Sequence, residues 1–282
     1  MEKHILIVGA TGTMANAVVR EMVERKYTTT ALVRDLNKGK KVLPPETNLI
    51  EGDLADKKLL TKAAQNITHL YFHPPATINR RADFIVERDG LQNILEVLPK
   101  TVVLLKLSEI GAYDSPDFFD LRLKYRSDLQ LKESGQPFVI LRPTWFMEAL
   151  PLQLTQGKRV IVFGQQPNPI WLVATKDYAQ IVCNAIETPD KTSNQIFTIQ
   201  GLEPITMEAA ARTLIQIAQP TQKFSRISLN LLKIPAVFSG QWQFVYELMR
   251  HYNNRKEVFE SEKTWEVLGK PKITFEKFVE SL

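Results

Sequence analysis

"LIVGATGTMANAVV", residues 6–19, joins an apolar run to a helical pattern through a glycine turn. HILIVG (4–9) is continuously apolar, the pattern of a strand buried on both faces of a parallel sheet. Ala15, Val18, Val19, Met22 and Val23 then recur at helical spacing, so TMANAVVREMVERK reads as an amphipathic helix. Between them Gly9, Gly12 and Ala15 form G-x-x-G-x-x-A. Gly9 permits a tight turn, Gly12 lets backbone approach a pyrophosphate, and the helix N-terminus offers unpaired N–H groups and positive partial charge to it. Ala15 takes the place of a third glycine at a position that serves helix–strand packing, where alanine is tolerated. The strand on one side and the helix on the other favour a dinucleotide loop made of Gly9, Thr11, Gly12, Thr13 and Met14 over an ordinary glycine turn.

The same alternation continues. TTTALVR (28–34), LIEGDL (49–54), THLYFHPP (68–75), TVVLLKLS (101–108) and FVILRP (138–143) read as further strands. RRADFIVERDGLQNILEVLP (80–99) reads as a long helix closed by Pro99, and DLRLKYRSDLQLKES (120–134) as another ended by Gly135. Six strands in βαβ units predict an α/β fold, a doubly wound parallel sheet. Past Pro143 the chain makes an excursion through the short β-like RVIVF, then a helix in TKDYAQIVCNAIETP, a strand in NQIFTIQG and a helix from near Thr206. The tail from Pro220 carries four aromatic-rich helical stretches. The expected organisation is a nucleotide-binding core over residues 1–150, to which 170–200 return, and a smaller C-terminal α/β substrate lobe from 151–169 and 201–282.

At 282 residues, 44% hydrophobic and 24% charged, with a mean hydropathy of -0.16, the chain has the composition of a soluble globular protein. No segment reaches the roughly 18 consecutive apolar residues of a membrane span, and the N-terminus shows no cleavable leader, so the cytoplasm is the expected location and no membrane partner is expected. The net charge of +5 is dispersed among acids, with no basic stripe or helix-turn-helix pattern, which argues against nucleic acid as a partner. Cys183 is the single cysteine and sits at helical spacing with Ala179 and Val182, as a buried small hydrophobe does. His4, His69 and His251 show no metal-ligand spacing, so no metal is expected. Nothing in the pattern specifies an oligomeric state.

GATG after the first strand resembles the extended and atypical short-chain dehydrogenases/reductases, which share the Rossmann fold. In that superfamily the end of the second strand selects the cofactor. Here ALVRD puts Arg34 where NAD-preferring members carry an acid. A guanidinium grips a 2′-phosphate bidentately, so the resemblance implies NADP(H) in preference to NAD(H), with Asp35 as a competing acid. Lys38, Lys40 and Lys41 either add to this positive charge or form a solvated loop. EGDLAD (51–56) matches the superfamily's G-D-(L/V), which implies Asp53 at the adenine amino group and Leu54 against the ring. SGQPFVILRPTWFMEA (134–149) looks very like the SGLxYTILRPxxFMEN stretch of the NmrA-like group, and WLVATKDYAQ stands where that group has (W/F)IdvrDiA. The similarity covers about residues 4–210 and identifies the chain as resembling the NmrA-like atypical short-chain reductases.

Members that reduce ketones use a serine after strand five and a Y-x-x-x-K pair on the next helix. The resemblance places Ser108 at the serine and Lys124 at the lysine, but Asp120 at the tyrosine. A carboxylate lacks the phenol's pKa and reach, and Tyr125, one residue past Lys124, lies about 100° round the helix. Lys124 is then either a ribose-binding residue or a surface lysine. His73, after strand four, is either a cofactor contact or a loop residue that hydrogen-bonds locally. Trp145, Phe146 and Met147 follow strand six and are candidate substrate contacts, while Trp242, Val245 and Met249 share a helical face that belongs to core or pocket. The expected function is that of an NADP(H)-binding reductase of a small apolar conjugated substrate such as a quinone, acting without the tyrosine–lysine pair. The alternative is a non-catalytic NADP(H)-sensing regulatory protein that works through a protein partner.

Overall fold

A computed structural model describes residues 2–115 and 117–282. The first half runs β1 (His4–Val8), α1 (Thr13–Glu24), β2 (Thr28–Val33), α2 (Leu36–Val42), β3 (Asn48–Glu51), α3 (Lys57–Ala63), β4 (His69–Phe72), α4 (Leu91–Val97), β5 (Val103–Leu107), α5 (Phe119–Glu133) and β6 (Phe138–Pro143). The second half runs α6 (Ala149–Leu154), β7 (Thr155–Gln156), β8 (Arg159–Phe163), α7 (Thr175–Glu187), α8 (Pro189–Thr192), β9 (Gln195–Ile199), α9 (Met207–Ile217), β10 (Lys223–Ile227), α10 (Leu229–Phe238), α11 (Gly240–Asn254), α12 (Glu262–Leu268) and α13 (Phe275–Glu280).

The main sheet is parallel throughout, in the order β3-β2-β1-β4-β5-β6-β9. Alternation along β1 divides its side chains: Ile5 and Ile7 pack with α1 and α7, whereas Leu6 and Val8 join the opposite face with Leu60, Leu91 and Leu131. Strand order reverses between β1 and β4, and the crevice at that switch point, at the carboxyl ends of the strands, is where an open α/β sheet admits a ligand. The doubly wound fold read from the sequence is thus present.

Three elements differ from the sequence reading. The sheet has seven strands, because β9, the NQIFTIQG run, pairs with β6 from Val139↔Gln195 to Pro143↔Ile199. The helix expected over 80–99 starts only at Val86, with a π-helical turn (Val86–Gly90) leading into α4. Arg80 is instead drawn away to Glu247 (2.7 Å) and over the Phe119 ring, long-range partners that no local pattern reveals. The tail contains a strand as well as helices: β10 pairs in parallel with β8, and β7 turns back on β8, to make a second sheet of order β10-β8-β7.

That second sheet, with α6, α9, α11 and α13, encloses a core of Trp145, Leu150, Val160, Val162, Leu214 and Phe275 among others. Within the tail, α12 packs against β9 and α7 of the main sheet. Along α10, Leu231, Ile234, Val237 and Phe238 all face outward, Phe238 with 86% of its surface exposed. Among the described residues no helix is long and apolar enough to cross a membrane.

Candidate functional site

The glycine loop is built by close backbone approach. Gly9 has φ 84°, and a Cβ there would lie 2.0 Å from the His73 carbonyl oxygen, so only glycine fits between the loops that follow β1 and β4. Gly12 N–H donates to the Gly9 carbonyl (3.0 Å) and closes the turn. Gly12 also caps α1 in an extended conformation with no side-chain hydrogen bond, and the first turn carries no acid. The positive end of α1 therefore opens into the cleft, where an anion would complete the cap.

One cleft of about 620 Å³ runs from this loop along the carboxyl ends of β1, β2, β4, β5 and β6. At one end Arg34, Lys38, Asp53 and Leu54 line it. Asp35, the acid adjacent to Arg34, is turned away to its own helix: its Oδ1 accepts from Lys38 N–H (3.0 Å) and caps α2. Arg34 is left exposed and lines the cleft. Leu54 is buried and reaches the cleft across Gly90, where a Cβ would lie 2.8 Å from Leu54 Cδ1.

Below the middle of the cleft lies a buried ionic network. Lys106 Nζ is 2.7 Å from Glu87 Oε1 and 2.9 Å from Asp128 Oδ1, and all three side chains are buried. Lys124 Nζ reaches the other Glu87 oxygen at 3.4 Å, the Ser127 hydroxyl donates to Glu87, and Arg142 donates to Asp128 Oδ2 (2.8 Å). Ser108 Oγ donates to the same Asp128 oxygen (2.7 Å). Burial pushes the Glu87 carboxyl up, but the charges of Lys106 and Lys124 outweigh it and hold it down at about 2. Burial likewise works against the Lys124 ammonium, yet Glu87, Asp120 and Glu109 together raise its pKa. The surface-lysine reading of Lys124 is overturned, since it is only 6% exposed, and it lines the cleft beside Ser108.

Asp120 is also in the wall, where its carboxylate accepts the Thr77 backbone N–H at 2.7 Å and anchors the loop after β4. His73 lines the cleft, its Nδ1 2.9 Å from the Tyr71 hydroxyl, which in turn meets Tyr178 at 3.1 Å. Burial and the nearby Lys124 charge push His73 down to about 3, so the ring is neutral at physiological pH. At the far end Trp145, Phe146, Phe244, Leu248 and Tyr252 form an apolar wall, with the Trp145 and Tyr252 rings 4.6 Å apart. Glu109 is half-buried beside them and accepts from the Tyr252 hydroxyl (3.3 Å).

A family model described as NAD(P)H-binding matches residues 9–189, more than half of the chain. The chain belongs to that NAD(P)H-binding family. Among curated proteins it is similar to the photosystem II assembly factor Ycf39 of Synechocystis sp., 21% identical over 86% of this chain and 76% of that one. It is also similar to an NAD(P)H azoreductase of Xenophilus azovorans, 24% identical over 81% of this chain and 79% of that one. Among solved structures, an NADPH-dependent quinone oxidoreductase of Escherichia coli complexed with NADPH covers 98% of this chain and 99% of its own, at TM-score 0.73 and 19% identity. A triphenylmethane reductase of Citrobacter sp. covers 99% and 100% at TM-score 0.75 and 13% identity. The resemblance to the atypical short-chain reductases is borne out, and the fold is theirs.

For this NAD(P)H-binding chain the structure brings Gly9, Thr11, Gly12, Thr13, Met14, Arg34, Asp53, Leu54, His73, Ser108, Lys124, Trp145 and Phe146 to one cleft. Met147 is the exception. It is 2% exposed, its N–H donates to the Val173 carbonyl (3.0 Å), and its side chain sits in the core of the second lobe. Met147 lies in the turn that leads from the Phe146 bridge into α6, and that turn carries its side chain into the core instead of the cleft. Glu87, Lys106, Asp128, Arg142 and Glu109 were outside the sequence reading. Lys106 alone carried a signal, as a lysine inside the apolar run VVLLKL must find buried partners.

Proposed function

We propose that this chain is an NADPH-dependent reductase of a small apolar conjugated substrate, with a quinone as the representative compound. The observation that carries the reading is continuity: a single cleft joins the glycine loop and Arg34 at one end to the Trp145, Phe146 and Tyr252 wall at the other. The likeness to proteins named as an azoreductase and a quinone oxidoreductase supports the same reaction class. When bound, the reduced nicotinamide supplies the hydride.

The chain's own residues hold and orient. The loop from Gly9 to Met14 binds the pyrophosphate at the α1 N-terminus, and Leu54 flanks the adenine with Asp53 beside it. Arg34 and Lys38 bind the 2′-phosphate, which Asp35 does not oppose because its carboxylate caps α2. Lys124 binds the nicotinamide ribose from a position fixed by Glu87. Ser108, locked on Asp128, offers its oxygen to the substrate end. Asp120 takes no proton-donor role, since Thr77 occupies it; delocalisation in the conjugated substrate disperses the charge that a tyrosine would otherwise neutralise. The test is NADPH oxidation in the presence of menadione, expected to be saturable and strongly reduced in Lys124→Met.

A second reading has its own observation. The outward row of Leu231, Ile234, Val237 and Phe238 on α10, together with the likeness to proteins named as assembly factors, favours a role exercised through a protein partner. That role predicts NADPH binding without oxidation on any substrate panel.

A further inference from the structure

Glu109 is the one carboxylate in the cleft that neither an ion pair nor a backbone N–H occupies among the contacts described. Glu87 and Asp128 are fully paired beneath the floor, and Asp120 holds Thr77. Glu109 follows Ser108 directly at the end of β5, lines the cleft, and lies against the aromatic wall at the substrate end. Among the described residues the only hydrogen-bond partner of its carboxyl is the Tyr252 hydroxyl, and Tyr252 is itself fixed against Trp145. From α5, Lys124 and Asp120 face it with opposite charges; from the α11 side, Arg255 faces it, but with one nitrogen on the Ile110 carbonyl (2.9 Å). Glu257 lies beyond Tyr252, engaged by Thr144 and Gln200.

We propose that Glu109 is the proton donor of the reduction, delivering the proton of its carboxyl to the anion formed on the substrate. This inference rests on the reductase reading. The balance for a quinone is simple: hydride brings two electrons and one hydrogen, and leaves a hydroquinone monoanion. The Glu109 O–H bond breaks as the last hydroquinone O–H bond forms, and the resulting carboxylate takes a new proton from water at the cleft mouth. A general acid works best with a pKa near the operating pH. Burial pushes Glu109 up, Lys124 draws it back, and the outcome is about 7, well above the ordinary 4.5 of a glutamate.

The experiment compares wild type with Glu109→Gln and Tyr252→Phe. In the protein without nucleotide, carboxyl-specific infrared or carbon NMR titration is expected to show one carboxyl titrating near pH 7 that Glu109→Gln lacks. With NADPH and menadione, wild-type kcat is expected to fall as pH rises through about 7. In Glu109→Gln kcat is expected to drop about 10²–10⁴-fold at pH 6, with a flat profile and an unchanged Kd for NADPH. Tyr252→Phe removes a donor to the carboxylate and is expected to move the limb to higher pH. A Glu109→Gln enzyme with wild-type kcat and pH profile overturns the proposal while leaving the reductase reading intact, as does the absence of a carboxyl titrating near neutrality. A wild type that binds NADPH but never oxidises it overturns both.

Discussion

Lys106 Nζ and Glu87 Oε1 stand 2.7 Å apart with both side chains fully buried, beneath the point where the glycine loop and the aromatic wall share a cleft. A lysine in a central strand and a buried acid in the π-helical turn before α4 are thus joined. Removing one partner of a buried pair strands the other without compensation. Lys106→Met is therefore expected to lower unfolding free energy by about 3–5 kcal/mol, read by urea denaturation. A loss near zero would mean that Lys124 and Arg142 carry the two carboxylates without it.

The two shifted carboxylates give stability opposite pH dependences. Glu87 is held at about 2, below its ordinary 4.5, so its contribution is present above about pH 4.5 and vanishes as pH falls through about 2. The stability gap between wild type and Glu87→Gln is expected to close across that window. Glu109 is raised to about 7, so the protonated form favours the folded state and that contribution is lost as pH rises from about 4.5 through 7. Glu109→Gln is expected to gain stability relative to wild type over the same rise, seen as a growing Tm difference between pH 5 and 8.

Gly9→Ala is expected to abolish nucleotide binding. Its Cβ would sit 2.0 Å from the His73 carbonyl at a φ of 84°, so either the β1 loop or the β4 loop must move. Retained NADPH affinity in a folded Gly9→Ala protein would contradict the loop assignment.

Much of this was readable in residues 6–19, where period, glycine spacing and helix face agree with one another. Arg34 was readable too, but its freedom was not: that Asp35 is engaged as a helix cap depends on where α2 starts. The 80–99 segment misled because its apolar spacing continues through Phe84 and Ile85, whereas Arg80 is held by Glu247, 167 residues away. β10 was missed because KFSRI is short and weakly apolar, and becomes a strand only by pairing with β8. No local pattern marks Glu109; its meaning comes from Tyr252, 143 residues further on.

Arg34→Ala tests selectivity between nucleotides. Charge-assisted bonds to a phosphate contribute about 1.5–3 kcal/mol, so Kd for NADPH is expected to rise about 10–100-fold while Kd for NADH stays within about twofold. Equal weakening of both would place Arg34 elsewhere than at the 2′-phosphate.

The most direct measurement of the central claim is a nicotinamide-fluorescence titration of the purified wild-type chain with NADPH and NADH, followed by menadione in the same sample. Saturable binding tighter for NADPH, then loss of nicotinamide fluorescence on addition of menadione, is the predicted result. Binding of neither nucleotide at micromolar concentrations, or bound NADPH that menadione leaves untouched, would contradict it.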